Sequence, residues 1–319
     1  MSWRPSASPR ALERRAALLA EARAFFTERG VLEVDTPILS AAAVSDPQLE
    51  SLATAIAGMP GEFYLQTSPE YSMKRLLAAG SGDIYQICKV FRDAERGRWH
   101  NPEFTMIEWY RLSVDDAALM DEVEALVSRL LQPQRRLDRA ERLSYSSALE
   151  RHAGVDAHRA SDADLSAAAE RHGIVCEARL DRDAKLDLLM GLVVGPQLGR
   201  ERPCFICDYP ASQAALARMK PGLPPVAARF ELYLDGVELA NGFHELQDAA
   251  EQRRRFERDL EWRAERGQQR LPIDEHLLAA LENGLPECAG VALGFDRLVA
   301  LALGADALGQ ALAFTIDNA

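Results

Sequence analysis

The chain has only five cysteines, Cys88, Cys176, Cys204, Cys207 and Cys288. An odd number scattered over 319 residues is not a disulfide framework. Cys204 and Cys207 form a C-x-x-C, but no second such pair and no nearby histidine pair completes a zinc site. Their setting, CFICDYP, reads as a buried strand running into a turn, so both are expected to be core residues. Long apolar runs are missing too: none approaches the roughly 18–20 residues of a membrane span. The N-terminal stretch MSWRPSASPRALERRAALLAEARAFF has no compact apolar core followed by a cleavage site. These absences predict a cytoplasmic protein with no membrane partner. There is no basic excess: 37 Lys+Arg against 49 Asp+Glu leave a net charge of −12. A long footprint on a phosphate backbone needs the opposite balance. Finally, the sequence contains no G-x-x-x-x-G-K-[ST], H-E-x-x-H or G-x-S-x-G, and no dinucleotide-binding glycine triplet on a first strand. Any nucleotide chemistry must use another scaffold.

What is present is an ordinary globular composition, 48% hydrophobic and 27% charged. Ser8-Pro9 can cap and start a helix that Gly30 ends. Short strands are expected at 31–34, 63–67, 84–91 and 104–111, with helices from 70 to about 79 and from about 114 to 131. Residues 38–60 read as a loop or small excursion. Residues 132–200 carry helical signals at 162–172 and 184–194 between polar or Gly/Pro joints, and suggest an inserted subdomain. Strands resume near 204–207, 229–234 and 237–241, a charged helix runs from about 247 to 266, and a glycine-rich strand at 290–294 enters an apolar helix. Strands with hairpin-like returns and helices beside them predict an α+β fold with a mainly antiparallel sheet.

The densest chemistry lies in VFRDAERGRWHNPEFTMIEWYR, residues 90–111. Arg92 and His100 suit phosphate oxygens, Phe104 offers a stacking face, and strand alternation points Glu108 and Tyr110 the same way. By composition alone the segment could equally be a charged surface hairpin.

Its wording resembles motif 2 of class II aminoacyl-tRNA synthetases, in the lysyl branch. RAFFTERGVLEVDTP, ending at Pro37, is similar to motif 1, and GVALGFDRL, carrying Arg297, is similar to motif 3. FELYLDGVELANGFHEL resembles the metal and amino-acid segment of the lysine branch. The resemblance spans nearly all of 1–319 as one catalytic domain, with no anticodon-binding domain ahead of motif 1. SPEYSMKRL, PASQAALA and ELANGFHEL are more similar to the bacterial ligases that attach (R)-β-lysine to a lysine of translation elongation factor P than to a full synthetase.

The resemblance implies the following roles. ATP would be met by Arg92, Asp93, His100, Asn101, Phe104, Glu238, the Leu239 backbone, Gly294 and Arg297. Arg92 would contact the α-phosphate and the substrate carboxylate, and Arg297 the terminal phosphates; these two are the catalytic pair. Glu231 and Glu238 would hold Mg²⁺. Ser68, Glu70, Glu108, Tyr110, Asn241, Glu245 and Ala292 would line the pocket for (R)-β-lysine or lysine. A homodimer is implied, with elongation factor P as the partner and tRNA not. Rival readings are a free-standing lysyl-tRNA synthetase and a non-catalytic regulator of translation.

The sequence departs from the family pattern in places. Motif 2 usually reads F-R-N-E, and here Asp93-Ala94 follows Phe91-Arg92. Glu95 would face the opposite way if the strand continued. Ala292 and His244 stand where the synthetases carry a glycine and a small polar residue, as in the ligases. Arg253–Arg255 form a basic run, expected mainly as a solvated helix face paired with residues such as Glu251, with a dock for an acidic partner as the minority reading.

Overall fold

In the computed structural model, which describes residues 3–132, 134–177 and 180–319, the first helix starts where its first residues dictate. The Ser8 hydroxyl accepts from the Ala11 amide, and Pro9 needs no donor in the first turn. In chain order the elements are α1 (Pro9–Thr27), β1 (Leu32–Glu33), β2 (Leu39–Ser40), β3 (Ala53–Thr54), β4 (Phe63–Leu65), α2 (Glu70–Ala78), β5 (Ile84–Phe91) and β6 (Glu103–Leu112). Then come α3 (Asp116–Leu131), β7 (Glu141–Ser144), α4 (Tyr145–Ala153), α5 (Asp162–Arg171), α6 (Arg182–Leu189), β8 (Cys204–Pro210), β9 (Met219–Lys220), β10 (Val226–Leu234) and β11 (Val237–His244). The chain closes with α7 (Ala249–Glu265), α8 (Glu275–Gly284), β12 (Cys288–Gly294) and α9 (Phe295–Ala302). Two units form: Met1–Val114 with Arg129–Gln134 and Gln247–Ala319, and Asp115–Ser128 with Arg135–Leu246.

In the first unit β5 pairs antiparallel with β6, and β6 antiparallel with β12, while β1 joins β5 in parallel. The excursion expected at 38–60 contributes β2 and β3, which flank β4 in a small separate sheet. Strand alternation divides β5 and β6 into two faces. Tyr85 and Trp109 are register partners on one face. There Phe26 of α1 stacks on Tyr85 with ring centroids 4.3 Å apart and meets Trp109 edge-on at 5.3 Å. The other face carries Ile84, Gln86, Glu108 and Tyr110. Ile84 and Tyr110 pack with Met73 and Leu77 of α2, Phe256 of α7 and Leu277, Leu278 and Leu281 of α8.

In the second unit β10 pairs antiparallel with β8, β9 and β11, and β7 joins β8 in parallel. The β10–β11 turn is Asp235-Gly236, with φ of 55° and 76°. A two-residue hairpin needs this left-handed pair, and an Asp-Gly sequence supplies it at low cost. Tyr145, Leu149, Leu165, Leu186, Leu189 and Ile206 belong to this unit's core. Cys204 and Cys207 both lie on β8, and burial pushes both thiols up to about 12. Three positions apart on a strand, they point to opposite faces and make no common site.

One buried ion pair ties α1, β6 and α9 together. Asp296, 1% exposed, accepts from Arg15 Nη1 at 2.5 Å and from the Thr105 backbone amide at 2.7 Å. Arg15 Nη2 also donates to the Thr105 hydroxyl at 2.7 Å. Removing one member of such a pair strands the other without its counter-charge. Asp296→Ala should therefore lower the unfolding free energy by about 3–5 kcal/mol, seen as a lower urea midpoint. A change within error would show that the pair is dispensable.

Candidate active site

The polar face of β5, β6 and β12 is centred on Glu108, which is 2% exposed. Ser68 donates its hydroxyl to Oε2 and Tyr110 to Oε1, each at 2.7 Å. The shared direction of Glu108 and Tyr110 expected from alternation is thus realised as a hydrogen bond. Ser68 also accepts from the Glu70 amide at 3.0 Å, and Glu70 Oε1 accepts from the buried ammonium of Lys74 at 2.7 Å. Burial, reinforced by the negative charge of Glu70, pushes the Glu108 carboxyl up to about 7. Ala292 of β12 lies directly opposite Glu108. Ser68, Glu70, Glu108, Tyr110 and Ala292 therefore form one patch. Lys74 is the member that sequence reading missed; its only signal was the i,i+4 spacing from Glu70.

The two arginines stand beyond this patch with different company. Arg92 places its guanidinium 5.2 Å from the centre of the Phe104 ring, donates through Nε to the Thr67 carbonyl at 3.4 Å, and pairs with Glu95 at 3.3 Å. Arg297, in the first turn of α9, donates through Nε to the Trp99 carbonyl at 3.2 Å and lies 2.8 Å from His100 Nε2. An arginine can only donate, so this contact requires a neutral imidazole. Burial and then the Arg297 charge lower the His100 pKa, in agreement. Arg92 with Phe104, and Arg297 with His100, are thus brought together in pairs.

Motif 2 differs from the expectation in its turn. Ala94 has φ of 60°, a left-handed conformation, and the Asp93 carboxylate accepts from the Ala94 amide at 2.7 Å. Strand β5 ends at Phe91, so the alternation argument for Glu95 fails. The turn carries Glu95 back to Arg92 instead of away from it. Asn101 is taken up internally, donating to the Glu103 carbonyl at 2.7 Å and accepting from the Ile316 amide at 3.0 Å. The same polar connection is braced by an Arg96–Asp317 ion pair and by the Leu308 amide donating to the Arg98 carbonyl at 2.9 Å. No local sequence pattern announces contacts more than two hundred residues apart. Gly294 has φ of −70° and caps α9, so its backbone needs no glycine; the room left by a missing side chain is what remains of its expected role.

In the second unit Glu231 lies opposite Asn241, and Tyr233 opposite Glu238, with a register shift between Leu232 and Tyr233. Glu231 is held by Arg229 Nη2 at 2.6 Å and by the Tyr233 hydroxyl at 2.7 Å. Because Tyr233 shares a strand face with Glu231 and opposes Glu238, the two carboxylates share that face. Hard carboxylate oxygens grouped in this way suit Mg²⁺, which takes one or two protein carboxylates together with substrate phosphates. Asn241 has a buried Oδ1 with no hydrogen-bond partner among the described residues. Leu239 and Glu245 are buried, and His244 Nε2 lies 3.0 Å from Arg218 Nη1.

The basic run at 253–255 is neutralised. Arg253 pairs with Glu275 at 2.6 Å, Arg254 with Glu251 at 2.8 Å, and Arg255 with Glu251 at 3.0 Å. The solvated-face reading accounts for Arg253 and Arg254, whereas Arg255 is buried on the inner side of α7.

Residues 1–318 match the family model for class II tRNA synthetases (D, K and N). The chain belongs to this family. It is also similar to proteins named elongation factor P–(R)-β-lysine ligase. The one from Klebsiella pneumoniae subsp. pneumoniae strain ATCC 700721 / MGH 78578 is 51% identical, over all of this chain and 98% of the relative. Those of Edwardsiella ictaluri strain 93-146 and Salmonella arizonae strain ATCC BAA-731 / CDC346-86 / RSK2980 are 52% and 50% identical with the same coverage. Membership of this family makes the chain an ATP-dependent ligase. No helix among the described residues is long and apolar enough to cross a membrane.

The raised Glu108 carboxyl has a consequence for stability. Its folded value, about 7, lies above its ordinary value of 4.5, so the native state keeps a proton that the unfolded chain has lost. The stability this group contributes is complete below about pH 4.5 and drains away as pH rises through about 7. Glu108→Gln should remove that loss: its melting temperature relative to wild type should climb between pH 5 and pH 8. A pH-independent difference would contradict the assignment.

Proposed function

We propose that this chain activates (R)-β-lysine, and lysine more weakly, as an aminoacyl-adenylate and transfers it to a lysine side chain of elongation factor P in the cytoplasm. The observation that carries this reading is the roughly 51% identity to ligases of that name along both full lengths. The buried glutamates fit it independently. A lysine-like substrate carries two ammonium groups, and Glu70 and Glu108 present carboxylates in a site that Ser68 and Tyr110 hold rigidly. We take residues 132–200 as an insertion within one catalytic domain.

In the first half-reaction a substrate carboxylate oxygen bonds to the α-phosphorus of ATP, and the bond to the pyrophosphate oxygen breaks in line. Both reactants are anionic, so fixed positive charge is the main requirement, and positioning supplies much of the remaining acceleration. Arg92 would meet the α-phosphate and the substrate carboxylate, with Phe104 stacking on adenine. Arg297 would take the terminal phosphates, its guanidinium oriented by the Trp99 carbonyl and a neutral His100. Asp93, Asn101 and Gly294 shape the nucleotide side, and Asn101 does so by holding its segment in place. In the second unit Glu231 and Glu238 would hold Mg²⁺, which supplies charge neutralisation on the phosphates. There the Leu239 backbone would meet the nucleotide, Asn241 the substrate carboxylate and Glu245 an ammonium group, as in the family.

In the second half-reaction the acceptor amine attacks the adenylate carbonyl, an amide bond forms and AMP leaves. The amine must be neutral to attack, so a carboxylate or the departing phosphate takes its proton. An amine acceptor on a protein suits this chain better than tRNA, because every phosphate contact to tRNA needs a basic group and the net charge is −12.

ATP–pyrophosphate exchange should occur with (R)-β-lysine and more weakly with lysine. Arg92→Ala and Arg297→Ala should each abolish it without loss of the fold by circular dichroism. Labelled β-lysine should pass to elongation factor P, less efficiently as salt is raised, and not to bulk tRNA; efficient tRNA charging with an unlabelled factor would overturn the proposal. A homodimer is expected at micromolar concentration, and light scattering at monomer mass would contradict it.

A further inference from the structure

Directly across β5 from Glu108 stands Gln86, a residue to which neither sequence reading nor family resemblance gives a role. It is 1% exposed, and neither atom of its carboxamide has a nitrogen or oxygen hydrogen-bond partner among the described residues. A buried amide left in this state is costly, because it has given up water and received little in exchange. Its polar neighbour along the strand is the Cys88 thiol, which burial pushes up to about 12 and a side-chain hydrogen bond with Gln86 draws partly back. Such a thiol stays protonated and is a weak partner at best. The register fixes the direction of the amide. Tyr85 and Ile87 occupy the opposite face of β5, so Gln86 shares the face of Glu108, whose own two oxygens are held by Ser68 and Tyr110. On the far side of Glu108 its register partner is Ala292, which offers no polar side-chain atom.

We propose that Gln86 is a specificity-determining residue: its carbonyl oxygen accepts a hydrogen bond from the substrate ammonium that Glu108 neutralises. The inference rests on the lysine-like substrate proposed above. Directly opposed side chains in an antiparallel pair lie close enough to share one small cation. An ammonium has three donors to place, and a carboxylate already accepting from two hydroxyls leaves some of them unanswered. A carboxamide adds an acceptor without adding charge. A second carboxylate here would repel Glu108 and hold more of it in the neutral form, weakening the attraction the site needs. The amide is therefore unsatisfied in the free protein and satisfied when substrate arrives, so its cost is relieved only by a ligand carrying a donor at that place. That is the arrangement by which a site rejects an analogue lacking the group.

Gln86→Leu and the closer-shaped Gln86→Met test this by pyrophosphate exchange and thermal melting. Both should raise KM for β-lysine about tenfold or more, the size of a hydrogen bond to a charged group. KM for ATP should stay within about twofold, and the melting temperature should not fall, since an unpaired buried amide is replaced by an apolar group. Competition by 6-aminohexanoate and 3-aminohexanoate, each lacking one ammonium of β-lysine, identifies the contact. For the analogue without the ammonium that Gln86 meets, wild type and variants should bind alike. An unchanged KM for β-lysine overturns the proposal, as does a variant that weakens both analogues equally. Loss of the folded state in both variants would also overturn it, by making the amide structural. No exchange by the wild type with any lysine-like amino acid would bring down the functional reading first and this inference with it.

Discussion

The first unit depends on one carboxylate paired with an arginine where water does not reach. Asp296 is almost wholly buried, and it is tolerable there because Arg15 and the Thr105 amide both donate to it. Its anchors come from α1 and β6 and it lies on α9 itself, so the contact joins the segments that carry the three family motifs. The neighbours show what this achieves. Arg297 follows Asp296 in the first turn of α9, so fixing one fixes the helical phase of the other. Phe104 precedes Thr105 on β6, and the Arg92 guanidinium lies over its ring. A single ion pair thereby helps set the placement of both arginines proposed to meet the phosphates. A negative charge in the first turn of α9 is further favoured by the helix dipole.

Strands β5 and β6 resolve a conflict between stability and function by alternation. The proposed pocket for a lysine-like substrate needs carboxylates held away from water, where their charge is expensive and their pKa rises. Glu108 accepts that cost on one face. The other face compensates with the packing of Phe26, Tyr85 and Trp109, aromatic contacts that contribute beyond their buried area. Because the side-chain period is two, both tasks fit on the same residues of chain without either intruding on the other. A slip of one residue would exchange the faces, so the aromatic packing fixes the register of the pocket as well as its stability.

Much of this was legible from the residues. Strand β5 was read to the residue and the other longer strands of the sheet to within a few, because alternation is a local signal, whereas β2, β3, β7 and β9 were not read. The link between Glu108 and Tyr110 followed from the same alternation. Helices α4 and α8 were missed, although both begin at clear caps, with Ser144 and Asp274 accepting from the first turns. Short helices stabilised mainly by tertiary packing carry weak patterns of their own. Glu70, Ser68 and Arg297 came from the wording of the family, not from spacing. What stayed hidden was every long-range polar contact: Arg15 with Asp296, and Asn101 with the Ile316 amide. Gln86 was invisible for a different reason, since a glutamine on a strand announces itself only when burial removes its partners.

The turn after β5 shows how a motif can lose a residue and keep a charge. The family places a glutamate where this chain has Ala94, and a strand continuing through Asp93 would have pointed Glu95 away from the site. The left-handed backbone at Ala94 breaks the alternation. Such a conformation costs an ordinary L-residue about 1–2 kcal/mol, and alanine, with only a methyl group, is a mild choice for it. Asp93 offsets part of this by accepting from the Ala94 amide. The reward is that Glu95 returns to Arg92, so a carboxylate still attends the arginine expected at the α-phosphate. An arginine already balanced by a surface-accessible glutamate is held in place without a fixed loss of its charge, because an incoming phosphate carries more negative charge than the carboxylate and competes for the same donors. The alanine is thus better understood as part of a rebuilt turn than as a gap in the motif.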